Sequence, residues 1–193
     1  MRLPYIPDPP EFTNEEDKAI VERVKQRRGD KGLFLLDRTL LHAPAIADGW
    51  NSFLGAIRTK TTLSTSIRET AICRVAVLNK AWYEWESHVP ILRSADDMTQ
   101  AHISSIFDSP PYQVNEGVLN EAYEAVIRYT DAMTLNVQVE DDVFERLKEW
   151  FSEKEIVEIT ATIAAYNCVS RFLVALDVGE RNRQTGPIEG AKE

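Results

Sequence analysis

Cysteine is scarce in this chain: two among 193 residues, Cys73 and Cys168. Each stands in an apolar stretch, which fits small buried core residues rather than a disulfide framework and makes a reducing, cytoplasmic location the default. Positive charge is also short, with 22 Lys and Arg against 31 Asp and Glu, a net charge of −9. A nucleic-acid binder needs a basic face to release counterions from phosphates, so that class is excluded, and attraction to an anionic membrane gains no support. No apolar run reads as approaching the ~18–20 residues of a membrane span. The first seven residues lack the basic-then-apolar profile of a signal peptide. Period-2 alternation is missing throughout, which excludes a sheet-based fold.

What is present is helical pattern. Hydrophobic residues make up 44% and charged residues 27%, the balance of a globular domain. We read one domain over 1–193, with a proline-marked arm at 1–12 and a polar, mobile tail at 180–193. Thr13-x-x-Glu16 predicts a capping box opening a helix that ends near Gly29. A short apolar segment spans 33–41, and Pro44 starts the next helix. Ser64 or Ser66 caps a helix whose apolar positions from Ala71 to Leu78 keep the 3.6 period, broken at Asn79-Lys80 by an asparagine suited to a left-handed end. Trp82 to Arg93 follows. Asp96-Asp97 is expected to cap a helix to about Phe107, Pro110-Pro111 forms a loop, and Asn115 is expected to open a helix through Ala132. A helix over 140–151 comes next. Ser152-x-x-Glu155 then caps a long apolar helix from Ile156 to Leu176, expected in the core or at a subunit interface.

The densest chemistry lies in Trp82-Tyr83-Glu84-Trp85-Glu86-Ser87-His88. Glu84 and His88 stand at i and i+4, so their side chains meet on one helix face, and a carboxylate there orients an imidazole for general acid–base work. Trp82, Tyr83 and Trp85 would wall a pocket. The same spacing also describes an ordinary surface ion pair, and Glu69 equally fits the end of a Ser66-x-x-Glu69 capping box. Residue types alone leave this open.

The run Arg68-Glu69-Thr70-Ala71-Ile72-Cys73-Arg74, followed by Tyr83-Glu84-Trp85-x-x-His88, resembles the signature of the carboxymuconolactone decarboxylase-like, AhpD-like family. The likeness extends to His42-Ala43-Pro44 with Trp50 and to Tyr166-Asn167-Cys168-Val169-Ser170-Arg171-Phe172, about 35–178 in all. It implies an all-α AhpD-like domain assembled as a homo-oligomer, a trimer or hexamer. It also implies that Glu69 is a proton-relay glutamate, and that Glu84 and Ala81 stand where AhpD-type peroxidases carry a Cys-x-x-Cys pair. A peroxidase reaction needs a thiolate, so the non-thiol branch is the better match. Its expected function is a cofactor-independent lyase, isomerase or hydrolase acting on a small organic acid, lactone or enolisable ketone. The catalytic residues would be Glu69, Glu84, His88 and Tyr83. Trp82, Trp85, Arg74 and Arg171 would bind substrate, the arginines by holding a carboxylate. Each arginine equally suits an ion pair tying helices together. No metal is implied, although Glu69, Glu84 and His88 are a conceivable ligand set. The alternatives are an AhpD-like antioxidant protein and a non-catalytic module that holds a small ligand.

Overall fold

The structure is a computed structural model that describes residues 1–113 and 117–186. Among the described residues there are nine α-helices and no strand. The chain divides into two compact units, residues 1–61 with 176–180 and residues 62–175 with 181–193.

The first unit holds α1 (Glu15–Arg28), α2 (Leu35–Leu40) and α3 (Pro44–Thr59). Asn14, not Thr13, caps α1: its side chain accepts from the Asp17 backbone N–H. Acidic residues then fill the first turn and basic ones the last, in the sense the helix dipole favours. Gly29 ends the helix at φ 60, a conformation that costs other residues strain. Pro44 opens α3 as expected. Asp37 is buried and held by Arg28 through Nε (2.8 Å) and Nη2 (2.7 Å).

The second unit holds α4 (Thr65–Leu78), α5 (Trp82–Arg93), α6 (Gln100–Asp108), α7 (Glu121–Leu135), α8 (Asp141–Lys148) and most of α9 (Glu153–Leu176). Helix α4 is its axis, with ten of its fourteen residues buried. Its i, i+4, i+8 face of Ser66, Thr70 and Arg74 turns toward α7, reaching Tyr123 and Asp131. A second face carries Glu69 and Cys73. Such all-round burial explains why its sequence lacks a polar stripe.

Several boundaries differ from the sequence reading, each for a local reason. Ser64 caps α4 by accepting from the Ile67 N–H, which leaves Glu69 beyond the capping positions and free for other work. After α4 the left-handed residue is Lys80 at φ 53, while Asn79 stays right-handed and donates its side-chain N–H to Asn167 (3.2 Å). Thr99, in a capping box with His102, starts α6 in place of Asp96-Asp97. Asn120 caps α7; the expected start at Asn115 lies outside the described residues, as does the tail from 187 onward. The Ser152–Glu155 box forms as expected, with Glu155 Oε2 accepting from Ser152 N (2.9 Å) and Oγ (2.7 Å). Contrary to the expectation for membrane spans, α9 is long and apolar enough by length and composition to cross a bilayer. Of that stretch 44% is buried inside the chain.

Asp97 has a different task from capping. Its carboxylate accepts from the Tyr123 hydroxyl and from Ser66 Oγ (2.9 Å). Partial burial works against its ionised form, but these bonds hold Asp97 below the usual aspartate range. Burial and the Asp97 hydrogen bond in turn push Tyr123 from 10.0 up to about 12. A group whose folded pKa is raised stabilises fully below its unfolded value and loses that contribution as pH climbs through the folded one. Stability should therefore decline between pH 10 and about 12, and Tyr123→Phe should remove that part of the decline in urea melts across the range. An unchanged alkaline limb in the variant would contradict the assignment.

Candidate active site

Helices α4, α5 and α9 bring together one cluster of acid–base groups. Glu69 and Cys73 come from α4 one turn apart, Glu84 and His88 from α5 one turn apart, and Tyr166 and Ser170 from α9 one turn apart. His88 Nδ1 lies 2.6 Å from Glu69 Oε2, and His88 Nε2 lies 3.2 Å from the Tyr166 hydroxyl. The imidazole and the Tyr166 ring meet edge-on, centroids 5.0 Å apart at 87°. Ser170 Oγ sits 3.0 Å from both Glu84 oxygens and donates to that carboxylate. The i, i+4 pair on α5 is thus matched by an i, i+4 pair of hydroxyls on α9.

The structure adds partners from two other helices to the pair expected on α5. Glu84 and His88 do share a helix face, but the imidazole nitrogens bond to Glu69 and Tyr166, while Glu84 bonds to Ser170. The cluster is closed to solvent: Glu69 and Glu84 are 2% exposed and His88 5%. Burial alone would push the Glu69 carboxyl up. The hydrogen bond and charge of His88, with the Arg68 guanidinium at 3.2 Å from Oε1, prevail and hold it below the usual glutamate range. A carboxylate that stays ionised against Nδ1 keeps the proton on that nitrogen and leaves Nε2 as the acceptor.

Cys73, which the sequence offered only as a small core residue, lies beside this cluster. Complete burial, then the charges of Glu69 and Glu84, push its thiol well above its ordinary value. The thiolate is the reactive form, so these surroundings suppress thiol chemistry. Cys168 is exposed on α9.

The remaining predicted residues have other surroundings. Arg74 is fully buried and committed to protein partners: Nε and Nη2 hold the two Asp131 oxygens (2.6 and 2.9 Å), and Nη1 donates to the carbonyls of Ile106 and Ser109 (3.0 and 2.9 Å). In place of holding a substrate carboxylate it ties α4 to α6 and α7, the alternative weighed for it. Arg171 is on the exposed side of α9, where Nη1 donates to the Asn167 carbonyl (3.0 Å) and its side-chain oxygen (2.6 Å). Trp82 and Trp85 pack on Phe107 of α6, centroids 6.1 and 4.9 Å away, and Trp82 donates to the Gln184 carbonyl. Tyr83 is half-buried, its carbonyl accepting from Ser87 Oγ (2.7 Å). Among the described residues no group of three or more His, Cys, Asp or Glu side chains is disposed to hold a metal ion.

Sequence reasoning missed Tyr166 and Ser170 as members of the site. Their signal was two hydroxyl side chains one turn apart in a long, mostly apolar helix, the same spacing that singled out Glu84 and His88.

No family model and no curated protein matches the chain. Solved structures do. A peroxidase-related protein from Ralstonia eutropha JMP134, described as an alkylhydroperoxidase AhpD core, superposes with a TM-score of 0.72 at 16% identity, covering 99% of this chain and 94% of its own. An AhpD-type protein of unknown function from Agrobacterium tumefaciens gives 0.61 at 23% identity, covering 77% and 94%. The debrominase Bmp8, solved with 2,3,4-tribromopyrrole, gives 0.68 at 18% identity, covering 92% and 88%. The chain has the AhpD-like helical fold.

Proposed function

We propose that the chain is an acid–base enzyme of the non-thiol kind, a lyase, isomerase or hydrolase that moves a proton on a small organic molecule such as a lactone or enolisable ketone. The observation that carries this reading is the Glu69–His88 pair: a buried imidazole with Nδ1 fixed by a carboxylate at 2.6 Å. In this reading His88 Nε2 takes the proton, and Glu69 stabilises the imidazolium that forms. Glu84, oriented by Ser170, is the second proton-transfer group. Arg74 has no part in binding substrate, since its guanidinium is bound to Asp131 and two carbonyls.

The test is exchange of the acidic C–H protons of acetylacetone with D2O, followed by proton NMR. The chain should accelerate it, and His88→Ala should return the rate to that of buffer. Equal acceleration by His88→Ala would sink the reading.

A second reading, a module that only holds a ligand, is favoured by the engagement of both His88 nitrogens within the protein. It sits less well with Glu84, which is buried where such a module would leave it in open solvent. A thiol peroxidase, a reading suggested by fold neighbours described as peroxidase-related, would have to work through Cys73 or Cys168. Peroxide reduction that survives Cys73→Ser combined with Cys168→Ser would dispose of it.

A further inference from the structure

The two nitrogens of His88 are held unequally. The 2.6 Å contact to Glu69 has the length of a charge-assisted bond, whereas the 3.2 Å contact to Tyr166 is at the long edge of the hydrogen-bond range. With Nδ1 protonated against Glu69, Nε2 presents its lone pair and the Tyr166 phenol donates to it. An acid–base step at His88 needs that same lone pair. Whatever the site acts on must therefore replace a phenolic hydroxyl, and replacing it at 3.2 Å costs less than breaking the Glu69 bond.

We propose that the ligand of this site is a neutral weak acid bearing an O–H or N–H (an enol, phenol or azole) that displaces the Tyr166 hydroxyl from His88 Nε2. This rests on the acid–base reading above and narrows its substrate. The charge around the imidazole points the same way. Glu69 from α4 and Tyr166 from α9 hold it, and Cys73 lies within the electrostatic reach of both Glu69 and Glu84. Of the arginines nearby in sequence, Arg68 is paired with Glu69, Arg74 with Asp131, Arg171 lies on the exposed side of α9 beside Asn167, and Arg93 stands half-buried at the far end of α5, five residues beyond His88. A ligand carboxylate would add a third carboxylate to a buried cluster that already holds Glu69 and Glu84, and would bring no proton to Nε2. A neutral acid brings the proton and no charge. On transfer, the O–H or N–H bond breaks, its electron pair stays on the ligand, and the proton bonds to Nε2. The imidazolium then lies between Glu69 and the ligand anion, and the reverse step restores both.

The test is imidazole 15N NMR on histidine-labelled protein with three probes: phenol, pyrazole and benzoate. His88→Ala identifies the His88 signals among the three histidines. Phenol and pyrazole should move the His88 Nε2 resonance, and benzoate should not. Tyr166→Phe keeps the ring and removes the competing hydroxyl, so it should tighten phenol binding by roughly fivefold. Benzoate binding as well as phenol, no probe moving Nε2, or weaker phenol binding in Tyr166→Phe would each overturn the proposal. The phenol–benzoate comparison in the unaltered chain stands even where the variant fails to fold. Loss of the acid–base reading shows separately, as proton exchange that persists in His88→Ala.

Discussion

Asp131→Ala should destabilise the protein by about 3–5 kcal/mol, as expected when one member of a buried ion pair is removed and the other stays behind. Arg74 is 0% exposed, so without Asp131 its charge has no water to turn to. The loss is compounded because Asp131 Oδ2 also accepts from the Tyr112 backbone N–H at 2.8 Å, which anchors the loop before α7. Urea melts of the purified variant measure the effect as a fall in midpoint at unchanged slope. A control separates charge from packing. Arg74→Met combined with Asp131→Leu removes both charges together, and the pair should recover most of the loss, since well-packed apolar replacements of buried ion pairs are often neutral. A double variant as unstable as Asp131→Ala would show that the two carbonyl contacts of Arg74, not its charge pairing, hold the three helices. Acid–base activity should persist in the double variant, because the Arg74 face of α4 is separate from the Glu69 face.

That separation of faces marks how far the sequence could be read. The limits of α5 and the capping box of α9 follow from local chemistry, and the structure places them where the residues ask. Helix α4 resisted because it is buried all round: without a polar stripe, nothing local says that Arg74 looks to α7 while Glu69 looks to His88. The ambiguity at Ser64 and Ser66 mattered most. Had Ser66 been the cap, Glu69 would have served the backbone; with Ser64 as cap, it is available to the imidazole. The pairing of His88 with Glu69 spans nineteen residues and that with Tyr166 seventy-eight, and no helical period reports contacts at such separations. The i, i+4 spacing did identify Glu84 and His88 as neighbours on α5, but spacing within one helix cannot say which helix supplies the partner. Tertiary packing decided that, and it also gave Cys73 its place beside the two carboxylates.

Glu69→Gln should lower the proton-exchange rate by about 10²–10⁴-fold while leaving the fold intact. Glutamine has nearly the same shape, but its amide can donate to Nδ1 where the carboxylate accepted. The imidazole then favours the tautomer with its proton on Nε2, and the nitrogen that should take a proton already carries one. Any imidazolium that forms also loses the opposing charge at 2.6 Å. A purely structural role for Glu69 predicts a different pattern, a loss of stability with little change in rate per folded molecule. The decisive measurement is the cycle of Glu69→Gln, His88→Ala and the double variant. If Glu69 acts only through His88, the double variant should be no slower than His88→Ala alone, because a carboxylate without its imidazole has nothing left to orient. A rate above buffer in His88→Ala that the double variant then loses would mean that Glu69 handles the proton by itself. The depressed Glu69 pKa adds a pH signature. Its folded value lies below the unfolded one, so its contribution to stability is present above the ordinary glutamate range and is lost as pH falls through the folded value. Glu69→Gln should therefore flatten the acid limb of the stability curve, and an unflattened limb would place the acid sensitivity in other carboxylates such as Asp97.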